Sequence, residues 1–391
     1  MRISIKNYLF YSSVFAIFTE AFFFNLIIDW KLLYLIIVVN YFLLFRIKKI
    51  ALNKYFALLL VFFFIHGLLA YSVIRIPYNY MLSQIIGIGI VGTYYYNFIS
   101  LYKTIDIIKV YAKMCTYVAL IGYVFFYFGI NYVDGRLNSI FKEPAHYVIV
   151  VIPACYYYLK TKKYLNFTII FGTLLLSNSS LGYIGCGLLF LVPNLTLKRI
   201  GYFVALMPFI GLAFYFAYNE LPFFKMRVDD TYNSLNVVNT GKFEEHTNLS
   251  SYVLISNLYI AKRNITEHPL GSGIGSHHYM HTQRYLKEVR PPEYIRDQQK
   301  QDDNSFDANS LFTRIFSEFG FIGFFLVLYT MFLASKCYSH EELLFSQGVF
   351  IYFLLKLFRD GHYFPPEFFF FIWLFYFCRK EFALTSDAHE K

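Results

Sequence analysis

The sequence predicts an all-α polytopic membrane protein of about twelve transmembrane helices with one large polar loop, and three observations carry that prediction. The chain is 57% hydrophobic, 22% aromatic and only 15% charged, with a mean hydropathy of +0.46, against about 25% charged residues in ordinary soluble domains. Apolar windows close to the ~20 residues needed to cross the hydrocarbon core recur along most of its length. A single polar stretch of roughly ninety residues, beginning near Asn219 and closing near Ser310, interrupts them. Backbone groups inside a bilayer must be paired within the segment, so these windows read as helices.

Taken in order, the first window, 8–28, is followed by Asp29 and Trp30 with no small-residue cleavage site, and reads as a retained helix. Windows at 31–46, 54–74, 80–99 and 109–130 follow. The sixth, 144–159, opens on Glu143 and Pro144, a pairing suited to a helix start. The next two, 164–177 and 180–194, are short and meet at the polar run Ser177, Asn178, Ser179 and Ser180, which reads as a tight turn. A ninth window covers 200–218, and 318–335, 343–358 and 364–378 complete the set after the loop. The resulting organisation is nine helices over 1–218, a large loop over 219–317, and three helices with a tail over 318–391.

Lys and Arg set the orientation, because cytoplasmic loops carry their excess. With the N-terminus inside, cytoplasmic segments hold eighteen of them, including Lys48, Lys49, Lys162, Lys163 and Lys380. The short outer loops and helix ends hold six: Lys31, Arg75, Arg136, Lys142, Lys356 and Arg359. Both termini are therefore expected in the cytoplasm and the large loop outside. The net charge of +10 is then mostly topology beside anionic lipid, and calls for no nucleic acid. The five cysteines fall in spans or at their cytoplasmic ends, which disfavours a disulfide framework or a Cys-based metal site.

Within the large loop, Leu249 to Thr266 has helical periodicity. Leu254, Leu258, Ala261 and Ile265 share one face, with Tyr252, Ser256, Tyr259 and Arg263 opposite. Thr247 or Asn248 is placed to cap its start, and His268 with Pro269 ends it. The expected arrangement has the aliphatic face on the bundle and Arg263 facing water. The run Gly271, Gly273, Gly275 lacks the preceding strand and the Lys-Ser/Thr of a phosphate loop. His277, His278 and His281 lack carboxylate or thiol partners at useful spacing, so they read as a solvated turn with no metal.

Charged residues beside spans are the other candidates, since desolvation makes them costly unless used. Arg136, Lys142, Glu143 and His146 surround the start of the sixth helix. Glu143 would serve as a base if burial raised its proton affinity. Arg227, Arg263 and Arg314 offer planar, permanently charged forks suited to phosphate oxygens. One loop arginine is ordinarily a solvated surface residue, but three in one outward module point to an anionic ligand. Arg359, Asp360 and His362 lie opposite that loop.

Two words frame the loop, EHPLGSGIGS from Glu267 to Ser276 and NSLFTRIFSEFGFIG from Asn309 to Gly323. With the Glu143–Pro144 helix start, the Ser-rich turn and the whole layout, they make the chain resemble the O-antigen polymerase (Wzy) family, related to the O-antigen ligases. The ligase branch carries a His before a small polar residue, nine others and Gly-x-x-Gly. Here Ser310, Gly320 and Gly323 match, but the His position is Asn309, and that departure favours the polymerase. Asn309 also suits a helix N-cap, and Arg314 with Glu318 an i,i+4 pair.

The resemblance implies a GT-C-like, metal-independent membrane glycosyltransferase that needs no cofactor. It would join undecaprenyl diphosphate-linked oligosaccharide repeats at the periplasmic face of the bacterial inner membrane, with membrane lipid, a chain-length regulator and a flippase as partners. Arg227 and Arg263 would neutralise the donor diphosphate. Glu143, or His146, would activate the acceptor hydroxyl, and Arg136, His268, Asn309, Arg314 and Arg359 would bind substrate. Transfer of polymer to lipid A-core, as in a ligase, is the second reading. A transporter or flippase is the third, disfavoured by the few mid-span charges and the lack of related halves.

Overall fold

The computed structural model describes residues 4–26, 28–130, 133, 135–194, 207–208, 211–212, 214–216, 218–220 and 222–389. It is a helical bundle. Its helices are α1 (Ile5–Ala16), α2 (Leu32–Ile47), α3 (Lys54–Ile74), α4 (Asn79–Ile99), α5 (Thr104–Tyr127), α6 (Pro144–Lys160), α7 (Tyr164–Leu176), α8 (Ser180–Leu191), α9 (Pro222–Leu235), α10 (Leu249–Glu267), α11 (Leu311–Ser335), α12 (Leu344–Phe358) and α13 (Pro366–His389). Among the described residues, Lys54–Ile74, Thr104–Tyr127 and Leu311–Ser339 are long and apolar enough to cross a membrane, and Leu32–Ile47, Tyr164–Leu176 and Ser180–Asn194 are shorter apolar helices. The predicted window at 200–218 falls largely outside the described residues.

The first predicted span differs from expectation. Helix α1 stops at Ala16, and a two-stranded antiparallel hairpin, β1 (Phe23–Leu26) with β2 (Ile28–Lys31), fills the rest. Apolarity alone does not choose between helix and strand, and the β-branched and aromatic residues here suit the hairpin equally.

The core is aromatic. Tyr71, Tyr111, Tyr147 and Tyr156 are fully buried, and each hydroxyl finds a partner: Ile274 O at 2.7 Å, Val150 O at 2.6 Å, Thr173 Oγ1 at 2.6 Å and Gln347 Oε1 at 2.7 Å. These four tyrosines fill volume without leaving an orphaned polar group, whereas the buried Tyr352 hydroxyl has no partner among the described residues. Gly348 lets α12 approach α6, since a Cβ there would lie 2.9 Å from Pro153 O. Trp373 of α13 donates to Gly92 O of α4 at 2.7 Å.

Loops gather at two ends. At one, Arg136 Nε donates to Ser177 O, Arg284 to Ile74 O and Arg314 to Gly361 O. At the other, Lys48 meets Ser100, Thr104 meets Glu381, and Arg379 donates to Leu333 O. The functional candidates lie at the first end.

Helix α10 forms where the periodicity places it, capped by Asn248, whose side chain accepts from Ser251 N, and ended at His268. Its facing is only partly as expected: Ala261 and Ile265 are buried and Arg263 is partly exposed, but much of the opposite face is buried too. Tyr252, Ser256 and Tyr259 are buried, whereas Leu254 is exposed. Asn257 and Asn264 determine this, because α11 and the following loop supply partners for their amides, and a partnered polar group is no longer a surface signal.

Candidate active site

A cavity of about 250 Å³ opens among α1, α2, α6 and the loop before α13, lined by Glu20, Lys31, Tyr34, Phe141, His146, Asp360, His362 and Glu367 among others. Each polar side chain is placed by a local chain break. Glu20 lies between α1 and the hairpin, and Lys31 is the N-cap residue of α2. Pro144 at the first position of α6 sets its backbone for the helix and puts His146 in the first turn. After α12, Asp360 adopts a left-handed φ of 66°. Gly361 follows because a Cβ there would sit 1.7 Å from Asp307 O.

The cavity's charges are organised. Glu20 Oε1 lies 2.9 Å from His146 Nδ1 and 3.7 Å from Lys31 Nζ, while Glu20 Oε2 is buried with no partner among the described residues. Lys356 is fully buried and donates to Asp360 Oδ2 at 2.7 Å. Burial alone would raise the Asp360 carboxyl, yet Lys356 above all, with the imidazoles of His146 and His362 nearby, holds it below the usual carboxylate range. The His362 amide donates to Asp360 Oδ1 at 3.2 Å.

Asp307, Asp360 and His362 bring ligand-type atoms within 4.8 Å of one another, the only spot among the described residues with a metal-like donor set. The set does not suit a cation. Lys356 already sits on Asp360, and the Asp307 oxygens accept from the amides of Asn309 and Gly361.

Beside the cavity, the two sequence words meet. Glu318 of α11 is fully buried, and its carboxylate accepts from Arg314 Nε (3.1 Å), Gly275 N (2.8 Å), His277 N (3.4 Å) and Tyr363 Oη (2.7 Å). Gly271, Gly273 and Gly275 have φ of 85°, 93° and 80°, so the glycine run does cradle an anion, one supplied by the protein itself. Gly320 interrupts α11 with φ 55° and ψ −139°. The freed segment is paired by the loop: Phe321 N donates to Pro269 O at 3.0 Å and Gly273 N to Glu318 O at 2.8 Å.

The expected solvated His turn is instead buried. His277 bonds Ser317 Oγ (2.9 Å) and Asn257 Oδ1 (3.0 Å), while His281 is buried with neither ring nitrogen partnered among the described residues. Burial, with like charges nearby, lowers the proton affinity of His277 well below the usual histidine value, and burial lowers that of His281 to about 4. Asn309 is not the helix cap. Ser310 is, its Oγ accepting from Thr313 N, while Asn309 takes a left-handed φ of 58° just before it.

Of the residues singled out in the sequence, His146, Asp360 and His362 line the cavity and Arg359 adjoins its closing loop. Glu143 is exposed and makes no capping hydrogen bond, so the burial a base would require is missing. Arg314 is buried with Glu318, Gly361 O and Gln84. Arg263 is partly exposed and held by Glu288 (2.8 Å) and Glu267 (3.3 Å), away from the cavity lining. Arg136 meets Ser177 O. His268 ends α10 half-buried, with Nε2 unpartnered. The side chain of Arg227, on α9, lies outside the described residues. Glu20, Lys31 and Glu367 in the cavity, and Lys356 beside it, are residues that the sequence does not mark as site candidates, Lys31 and Lys356 counting there only toward orientation. The signal was available: Glu20, Lys356 and Glu367 are charges inside predicted spans, where an ionisable residue is a site candidate by default.

The segment from α7 through the loop into α11, which holds Glu318, Arg314 and the glycine loop but none of the cavity-lining residues, has a family match. Residues 165–328 match the Wzy_C family model, described as O-antigen ligase. That stretch is similar to the O-antigen ligase family. No curated protein matches the chain. Members of the Wzy_C family are glycosyl-transferring enzymes of ligase or polymerase type, and lipid-linked polysaccharide is their class of substrate. The glycine loop and the kinked start of α11, which pack around Glu318, both lie within the matched residues.

Proposed function

We propose that the protein is a surface-polysaccharide polymerase. It moves a growing glycan from its undecaprenyl diphosphate carrier onto the terminal sugar of a newly delivered lipid-linked repeat. The reading includes twelve spans in a bacterial inner membrane, cytoplasmic termini, a periplasmic loop at 219–317, and a metal-independent reaction. Asn309 is the observation that carries it, because it stands where the resembling ligases have their histidine. Arg227 and Arg263 are the proposed contacts to the donor diphosphate, where negative charge grows as the glycosidic bond breaks.

The ligase reading stays second because the matched family is described by that activity. Deleting the gene and resolving surface polysaccharide on a gel separates the two. Loss of a polymerase leaves lipid A-core with a single repeat. Loss of a ligase leaves bare core, with polymer retained on the carrier lipid. An unchanged ladder refutes both.

A further inference from the structure

The cavity contains a pair of side chains arranged for proton transfer, and their placement deepens the reading above, on which it rests. His146 Nδ1 faces Glu20 Oε1 at 2.9 Å. A carboxylate on one ring nitrogen fixes the tautomer with its proton there and leaves Nε2 as the basic position. No partner of Nε2 occurs among the described residues. Glu20 Oε2 is buried without a partner, an arrangement that costs free energy unless a donor arrives. A hydroxyl-rich ring in the cavity would provide one, and Phe141 and Tyr34 on its wall offer faces for the apolar side of a sugar.

Other candidates for the base fit less well. Glu143 is exposed. Both ring nitrogens of His277 are committed to Ser317 and Asn257. His362 is more exposed than His146, and its nearest carboxylate is Asp307 at 4.0 Å.

We propose that Glu20 and His146 form the acid–base couple that deprotonates the attacking hydroxyl of the acceptor sugar in this cavity. The acceptor oxygen bonds to the anomeric carbon of the donor as its proton passes to His146 Nε2. The bond from that carbon to the diphosphate oxygen breaks, and the electron pair leaves with the diphosphate. Glu20 stabilises the resulting imidazolium, which returns its proton to water. His146 is the catalytic residue and Glu20 a positioning residue.

The test uses full-length protein in membranes of the deletion strain, with lipid-linked repeat extracted from that strain as substrate. His146→Gln is expected to lower turnover at least a hundredfold at unchanged abundance, within the 10²–10⁴ range of general-base catalysis. Glu20→Gln should reduce kcat more than it changes KM and move the acid limb of the pH–rate profile to lower pH. The groups facing the ring, Lys31, Asp360, Glu367, His362 and Glu143, remain in place in that variant. Glu20→Asp should restore part of the rate and the limb. If the Gln variants fail to accumulate, the pH profile of Glu20→Asp decides, and an unshifted limb with full turnover overturns the couple. Gln variants that accumulate and turn over within twofold of wild type overturn it too. Wild-type membranes that transfer polymer to lipid A-core without elongating it would instead overturn the polymerase reading. Loss of that transfer in the same variants would still uphold the couple.

Discussion

Arg314 and Glu318 pair one turn apart on α11, 3.1 Å between Nε and Oε1, with side chains 3% and 0% exposed. The remaining Arg314 donors reach Gly361 O at 2.9 Å and Gln84 Oε1 at 3.0 Å, and the guanidinium stacks 4.1 Å over Tyr363. One ion pair therefore joins α4, α11, the glycine loop and the segment that closes the cavity. Arg314 serves the site through architecture.

Removing one member of such a pair leaves the other buried and uncompensated, which costs about 3–5 kcal/mol. Glu318→Gln should therefore lower the thermal midpoint of the detergent-solubilised protein by several degrees, and Arg314→Lys, which loses the fork to Gly361 and Gln84, should do likewise. A midpoint equal to wild type in both variants would contradict the structural role.

Gly320→Ala is the second test of the same junction. A Cβ there would lie 2.0 Å from Pro269 O and would have to be accommodated at φ 55°. Backbone strain of this kind costs of order 1–3 kcal/mol before the clash is counted. Protease sensitivity should rise at the loop 268–276, and a variant as resistant as wild type would show that the kink is not needed.

Much of this was legible in the sequence, and the reason differs by residue. The starts of α6 and α10 follow from Pro144 and Asn248, because such signals are local. The Arg314–Glu318 pair follows from its spacing. The docking of Gly275 on Glu318 could not be read, because it spans 43 residues and neither segment names its partner. The buried face of α10 was misread for a related reason. Asn257 and Asn264 look wet by composition, and contacts from His277, Asp303, Ser272 and Ser317, distant or in the following loop, make them interior. Glu20 was hidden in an apolar window that reads as uninterrupted helix.

Arg263→Ala tests the proposed donor contact. The pairs with Glu288 and Glu267 are partly exposed, and such surface pairs contribute about 0–1 kcal/mol. The variant should insert and accumulate normally while the polysaccharide ladder collapses to a single repeat. A full ladder from this variant removes Arg263 from the site.

Histidine burial sets a pH window for stability. His277 and His281 are held neutral in the folded protein, the latter with its pKa lowered to about 4, whereas an unfolded histidine titrates near ~6.5. Above that value neither state binds the proton, and stability is unaffected. As pH falls from about 6.5 toward about 4 only the unfolded chain takes it up, so folding loses about 1.4 kcal/mol per pH unit for each histidine. His281 has no hydrogen-bond partner to lose among the described residues, so His281→Leu should be close to neutral at pH 7.5 and should flatten part of the acid loss. Thermal midpoints of both proteins across pH 4.5 to 7.5 measure this directly. Parallel curves would mean that His281 does not take up its proton on unfolding.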